Sequence, residues 1–364
     1  MDRLTHIVNQ FVLEGTPERI TPLGNGLIND TYRVESAEPT APDYVLQRIN
    51  HAIFRDVPQL QRNIESVTRH IRHKLEQQGV ENLDSRVLRF LPTHQGVTYW
   101  YDSEQESYWR LSLLIPRSHT VETVNAVYSE CAGEAFGNFQ TLLADLPDQL
   151  AETIPHFHDM EYRLQQLRDS VDADRVHRLQ GVRPLVEELM GRAEAMCLAE
   201  RLHREGRLPK RICHCDTKVN NMLFDDEGRV LCVIDLDTVM PSYVFSDFGD
   251  FLRTAANRGR EDDPCLEAVS FDMDIFRAFT RGYLRGAAPF LLPVEREHLP
   301  YAAALFPYMQ AVRFLTDYLA GDTYYKTAYP EHNLVRTRAQ LQLLRSVEQR
   351  QEEMKAIIEE ESES

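Results

Sequence analysis

The sequence predicts an α+β protein of two lobes, a small N-terminal one built on an antiparallel sheet and a larger, mainly helical C-terminal one. Residues 19–115 hold short β-rich runs separated by Gly, Asn and Pro, whereas the chain after Pro116 carries helical periodicity almost throughout. At 364 residues the chain is also too long for one ordinary core. The expected lobes are residues 1–115 and 116–364.

The first element is a short helix over residues 2–15, with Leu4, Ile7, Val8, Phe11 and Val12 on one stripe and Gly15 as its stop. Strands follow at Arg19–Leu23, Thr31–Val34 and Tyr44–Ile49. Leu60, Ile64, Val67, Ile71 and Leu75 recur every three or four residues and predict a helix at about 57–78. Strands at Gly96–Tyr101 and Tyr108–Ile115 complete a meander of roughly five strands with one interposed helix. In the second lobe, helices are expected near 121–144, 157–170, 183–205, 272–286, 295–320 and 334–361. Between 211 and 251 the pattern breaks into short apolar pieces joined by polar turns, a hairpin of the kind that presents chemistry on its loops.

Composition excludes several classes. With 57 Asp and Glu against 40 Lys and Arg, the chain lacks the basic footprint that nucleic acid requires. A nucleotide needs only a local cluster of donors and a metal, so it stays open. There is no run of 18 apolar residues and no signal-like N-terminus, so no membrane partner is expected and the location expected is cytoplasmic. Cys213 and Cys215 form C-x-C, the other cysteines are scattered, and reduced thiols are expected.

The stretch His214-Cys215-Asp216-Thr217-Lys218-Val219-Asn220-Asn221 carries the most chemistry, followed by a hairpin and Ile234-Asp235-Leu236-Asp237-Thr238. Phosphoryl transfer to a hydroxyl needs an anion that orients it and accepts its proton, and oxygen ligands for a metal bridging the phosphates. Asp216 supplies the first, and Asn221 and Asp235 the second. Lys218 can neutralise charge on the transferred group. Singly, each piece reads as a capped turn or a strand-ending Asp. The ordered set H-x-D-x-K-x-x-N, hairpin, I-D matches a specific device.

A second element, Leu23-Gly24-Asn25-Gly26-Leu27-Ile28-Asn29-Asp30-Thr31-Tyr32, places glycines between two strands. Without Cβ atoms, Gly24 and Gly26 let backbone amides close over phosphates, although Gly-Asn-Gly is also an ordinary hairpin turn. Asn29 and Thr31 complete the candidate nucleotide-covering segment.

This combination resembles the aminoglycoside phosphotransferase and choline kinase superfamily, with its protein-kinase-like fold, and more closely the N-acetylhexosamine 1-kinases. The resemblance rests on G-x-G-x-I-N-x-T-Y (Gly24–Tyr32), Y-V-L-Q-x-x-N (Tyr44–Asn50), E-T-I-x-H-F-H-D (Glu152–Asp159), D-T-K-x-N-N (Asp216–Asn221) and I-D-L-D-T-x-M-P (Ile234–Pro241). It continues through D-F-G-D (Asp247–Asp250), M-x-x-x-R-F-L-x-D-Y-L-x-G-D-x-Y (Met309–Tyr324) and Y-P-E-H-N-L-V-R-T-R (Tyr329–Arg338). It implies ATP and Mg2+ as cofactors, Asp216 as base, and Asn221 and Asp235 as metal ligands. Arg313, Tyr324, Thr238 and Asp216 would contact a sugar, Leu27 would influence its selectivity, and the adenine would meet the linker around Leu113 and Ile115. A monomer is expected. Read without the resemblance, Arg313 is a helix surface charge or an ion pair with Asp317 at i+4.

One position departs from the wider superfamily, where the third strand carries a Lys. Here it is Gln47, a neutral donor, with Glu65 as its candidate helix partner. The leading expectation is an ATP-dependent kinase of the anomeric hydroxyl of N-acetylglucosamine or N-acetylgalactosamine. Alternatives are a kinase of an amino alcohol, homoserine or an aminoglycoside, favoured by the acidic charge balance, and a non-catalytic nucleotide-binding module, favoured by the missing Lys.

Overall fold

The structure, a computed structural model, describes residues 3–24, 29–122 and 124–363. The chain divides into two compact units. One comprises Met1–Thr120, Asp145–Pro155 and Met222–Met240, and the other Val121–Ala144, His156–Asn221 and Pro241–Ser364.

In the first unit, strands β1 (Pro17–Pro22), β2 (Asp30–Ser36), β3 (Tyr44–Ile49), β4 (Trp100–Asp102) and β5 (Ser107–Leu113) form an antiparallel sheet in the order β1-β2-β3-β5-β4. Its register sets Thr31 opposite Gln47 and Gln47 opposite Arg110. One face carries the core: Val34, Tyr44, Leu46, Trp109 and Leu111 pack with Ile7, Val8 and Phe11. Helix α1 is only Arg3–Val8, shorter than the expected 2–15. Beyond it the backbone changes partner: Phe11 bridges to Thr93, and the Val12 N–H donates to the Pro92 carbonyl at 2.9 Å. The apolar stripe therefore continues as extended chain, because an edge pairing there satisfies its backbone groups. Helix α2 spans Val57–Gln77, with Pro58 in its first turn and Asp56 as N-cap, accepting from the Gln59 N–H at 2.9 Å. The hairpin of β7 (Met222–Phe224) and β8 (Val230–Val233), paired antiparallel, belongs to this unit, as does the 3-10 turn Leu236–Thr238.

The second unit is mainly helical, so the α+β class expected from the sequence is the one observed. Its helices are α3 (Ala126–Leu143), α4 (Met160–Ala173), α5 (Leu179–Met196), α6 (Leu198–Arg204), α7 (Phe245–Ala255) and α8 (Met273–Ala287). They continue as α9 (Pro293–Glu297), α10 (Leu299–Ala320), α11 (His332–Glu348) and α12 (Gln351–Glu363). Three of the expected helices are thus each split in two, and α7 was not anticipated. Strand β6 (Arg211–Cys213) leads into the His214–Asn221 segment.

Two features of this unit matter for the site. Helices α3 and α8 approach until backbones touch: a Cβ on Gly133 would lie 2.2 Å from the Phe279 carbonyl oxygen, and one on Gly282 would lie 2.0 Å from that of Glu130. Only glycine allows this spacing, and it brings Tyr283 of α8 to Gln140 of α3, hydroxyl to amide oxygen, at 2.6 Å. Helix α10 is buried along most of its length against α4, α7 and α11, and ends at Gly321 in the left-handed conformation, φ 96°. Among the described residues no helix is long and apolar enough to cross a membrane.

Candidate active site

The His214–Asn221 segment is fixed by a carboxylate that supplies no chemistry itself. Asp247, in the first turn of α7, is fully buried and accepts from the N–H of His214 at 2.9 Å and of Cys215 at 2.8 Å. Gln140, held by Tyr283, donates to the same carboxylate at 2.9 Å. In return, the Thr217 hydroxyl donates to the Asp247 backbone carbonyl at 2.8 Å. Burial pushes the Asp247 carboxyl up to about 6, against the opposing pull of His214 and the two loop N–H groups. His214 is itself buried, edge-on to Phe136 and Phe139, and its Nδ1 accepts the Asp216 N–H at 3.3 Å. Cys215 pays for the turn with a left-handed φ of 63°, unusual outside glycine.

Asp216 emerges from this frame half-buried, and both its carboxylate oxygens have partners. Lys218 Nζ lies 2.6 Å from Oδ1, and the Asn221 amide donates to Oδ2 at 3.3 Å and to the Asp216 carbonyl at 2.7 Å. Burial works against the Lys218 charge, but Asp216 and Asp250 outweigh it and hold the ammonium above its ordinary range. Asp250 is neutralised by Arg253 at 3.1 Å, which also pairs with Glu261 at 2.6 Å. The structure thus brings together Asp216, Lys218 and Asn221. Because the Asn221 Nδ2 is spent on Asp216, its Oδ1 is the atom left for a cation.

Arg313 and Tyr324 share a different feature of the same unit, a cavity of about 340 Å3 whose lining also includes Arg163, Asp317, Thr323 and Tyr325. Neither Asp216 nor Lys218 is in that lining. The i+4 ion pair between Arg313 and Asp317 does not form. Asp317 instead accepts from the N–H groups of Thr323, Tyr324 and Tyr325 at 2.8–3.0 Å and from the Asn333 amide at 2.9 Å. Those bonds shape the turn after Gly321, while Arg313 donates to Gln310 at 3.2 Å and lies over the rings of Phe157 and Tyr325.

In the first unit, Asp235 follows β8 with a left-handed φ of 60°, its side chain exposed, and Thr238 is buried in the turn that comes next. A carboxylate is a hard oxygen donor of the type magnesium takes. Among the described residues there is no group of three His, Cys, Asp or Glu able to hold a metal on its own. Gly24, two residues after β1, has φ 70° and open space where a Cβ would be, whereas Gly26 and Leu27 lie outside the described residues. Leu113 and Ile115 line a cavity of about 710 Å3 together with Leu23, Arg33, Pro116 and Ser118.

Gln47 does not pair with Glu65, and that expectation is corrected. Gln47 donates to Thr31 Oγ1 at 3.3 Å and accepts from Arg110 Nε at 2.9 Å, while Glu65 accepts from the Thr98 hydroxyl. Arg110 is the residue that sequence reasoning missed. It is 2% exposed, forms an ion pair with Asp237, and donates to Gln61 at 3.3 Å. Asn29 donates to the other Asp237 oxygen at 2.7 Å and accepts from the Asn50 N–H at 3.0 Å, so both ends of its amide are engaged within the protein. Asp237 is likewise committed to Arg110 and Asn29. The signal lay in Tyr108-Trp109-Arg110-Leu111-Ser112-Leu113, a charge amid an otherwise buried strand, which demands a partner.

This network makes a stability prediction. Arg110→Met leaves the Asp237 carboxylate buried without its cation and should cost about 3–5 kcal/mol in urea unfolding. The double variant Arg110→Met/Asp237→Leu, which removes both charges, should recover at least half of that loss. Equal losses in the two variants would mean that packing, and not the unpaired charge, sets the cost.

With this geometry in view, comparison with solved structures shows a shared fold. An aminoglycoside phosphotransferase from Alicyclobacillus acidocaldarius subsp. acidocaldarius is 13% identical with a TM-score of 0.61, the match covering 98% of this chain and 96% of that one. An amicoumacin kinase in complex with AMP-PNP and Ca2+ is 15% identical with a TM-score of 0.59, covering 94% and 93%. A microcompartment-associated aminopropanol kinase is 14% identical with a TM-score of 0.54, covering 97% and 98%. The sequence model of the phosphotransferase enzyme family matches residues 19–290, most of the chain, and the protein belongs to that family.

Proposed function

We propose that the protein is a Mg-ATP-dependent kinase of the anomeric C1 hydroxyl of N-acetylhexosamines, giving the sugar 1-phosphate and ADP. The observation that carries this reading is the pairing, within one unit, of the Asp216–Lys218–Asn221 cluster with a cavity holding Arg313 and Tyr324. Asp216 orients the acceptor hydroxyl and takes its proton. An anomeric hydroxyl is more acidic than an ordinary alcohol and asks little of the base. Lys218 offsets charge on the transferred group, and Arg313 offers a planar fork to sugar oxygens or an acetamide carbonyl beside Tyr324. Thr238 completes the sugar contacts.

Magnesium, held by Asn221 Oδ1 and Asp235, would neutralise the phosphates. Gly24 and Gly26 cover the phosphates with Thr31 close by, Gln47 brings the Arg110 charge to β3, and the adenine lies against Leu113 and Ile115. The solved kinases that share the fold act on an aminoglycoside, amicoumacin and aminopropanol. A cationic acceptor of that kind is disfavoured here by the arginines of the cavity.

Incubation with Mg-ATP and a panel of free sugars should place phosphate on C1 of N-acetylglucosamine or N-acetylgalactosamine, read by phosphorus NMR. Methyl glycosides, blocked at that oxygen, should not react. Phosphate on C6, or turnover of an amino alcohol with neither hexosamine, would refute the assignment while leaving the family standing.

Asp247→Asn separates positioning from stability. Burial holds the carboxyl near 6, above the roughly 3.9 of an unfolded Asp, so this group's contribution to stability is present at low pH and lost as pH rises through about 6. At pH 7 the neutral amide therefore relieves a buried charge, and the melting temperature should change little. The amide turns N–H groups toward N–H donors and misplaces the loop, so kcat should fall by about tenfold to a hundredfold. Unchanged kcat would show that Asp247 does not position Asp216.

A further inference from the structure

The cavity that holds Arg313 carries more positive charge than a neutral sugar needs. Arg163 on α4 reaches the same lining, where its Nε and Nη2 donate to the Phe157 carbonyl at 3.3 and 3.0 Å and its Nη1 donates to Gln166 at 2.9 Å. All of these partners are neutral, as is Gln310, the partner of Arg313. Among the described residues neither guanidinium has a carboxylate within ion-pair distance. Several other buried or half-buried arginines of this acidic chain are matched: Arg253 with Asp250 and Glu261, Arg211 with Glu295, Arg178 with Asp322, Arg192 with Glu348.

Neither acid of the lining lies within ion-pair distance of Arg163 or Arg313. Asp317 is 4% exposed, with its oxygens taken by three backbone N–H groups and Asn333. Asp169 accepts from Gln165 at 2.8 Å. Arg163 is depressed to about 10, first by burial and then by repulsion from Arg313, so the two cations feel each other across the cavity. Arg175, exposed just beyond α4, adds a third guanidinium to the lining. Two close guanidiniums with only neutral partners are stabilised by an incoming anion, which forms charge-assisted bonds at no cost in broken ion pairs.

We propose that this cavity is an oxyanion subsite, in which Arg163 and Arg175 hold a carboxylate, sulfate or phosphate group beside the Arg313 that contacts the sugar. This extends the sugar-kinase reading and rests on it for the role of Arg313. The same oxyanion chemistry is offered by a substituent on the acceptor sugar and by a free inorganic anion.

Thermal shift and isothermal calorimetry test it on the full chain, with sodium sulfate, N-acetylglucosamine and N-acetylglucosamine 6-sulfate as probes. Sulfate should raise the melting temperature saturably, beyond sodium chloride of matched ionic strength. Arg163→Gln and Arg175→Ala should each weaken that effect by about threefold or more, since each removes charge-assisted bonds. Arg175 is exposed, so its variant keeps the test valid if Arg163→Gln folds poorly. Binding of the 6-sulfate at least about tenfold tighter than the neutral sugar identifies a sugar substituent as the source. No such gain, with sulfate still bound through Arg163 and Arg175, identifies a free anion. Sulfate no better than chloride, or binding unaltered by both substitutions, overturns the subsite. Failure of both sugars to bind while sulfate binds through these arginines would refute the hexosamine reading and leave the oxyanion subsite in place.

Discussion

The carboxylate of Asp247 receives the N–H groups of His214 and Cys215 and the amide of Gln140, and the position of Asp216 follows from those bonds. The tie is indirect but rigid. Helices α3 and α8 can close on each other only because Gly133 and Gly282 have no Cβ, and that contact brings Tyr283 to Gln140 and Gln140 to Asp247. A left-handed Cys215 then turns the chain so that Asp216 and Lys218 meet at 2.6 Å. A buried ionised group is costly unless its acceptor sites are filled. Here they are filled by the backbone whose shape matters.

The first unit uses the same principle with a different pair. Its sheet buries Arg110 against Asp237, and Gln47, Gln61 and Asn29 fill the remaining hydrogen-bonding positions. Removing either charge leaves the other stranded, whereas the neutral partners only tune the geometry. Consequently Asp237 is bound to the sheet, whereas the nearby Asp235 is exposed and left-handed.

Much of this was legible in the sequence, and what was missed has physical causes. Alternation in Tyr44–Ile49 gave β3 to the residue, since a half-buried strand writes its two faces into its residues. The spacing placed Asp216, Asn221 and Asp235 at one hairpin mouth with Lys218 beside the base, and of these the structure shows Lys218 and Asn221 on Asp216. The stripe of 2–15 suggested a longer helix because an apolar face does not reveal whether its backbone bonds lie within the segment or, as at Val12, with Pro92. Helix α7 was missed although Phe245, Phe248, Phe251 and Leu252 recur at helical spacing, because it is short and its polar residues Asp247, Asp250 and Arg253 read as loop chemistry while in fact they are buried. Arg110 found its partner 127 residues away, and no local pattern announces such a pair. The same holds for Arg163 and Arg313, which share a cavity from helices far apart in sequence.

In the proposed reaction Asp216, on the loop that Asp247 ties down and flanked by Lys218 and Asn221, accepts the proton of the sugar hydroxyl. The most direct measurement is kcat of Asp216→Asn with saturating Mg-ATP and N-acetylglucosamine, alongside its melting temperature. The amide keeps the shape and the bond from Asn221 but cannot take a proton, so kcat should fall by about 10²-fold or more with the fold intact. A folded variant with kcat close to that of the unaltered protein would contradict the account.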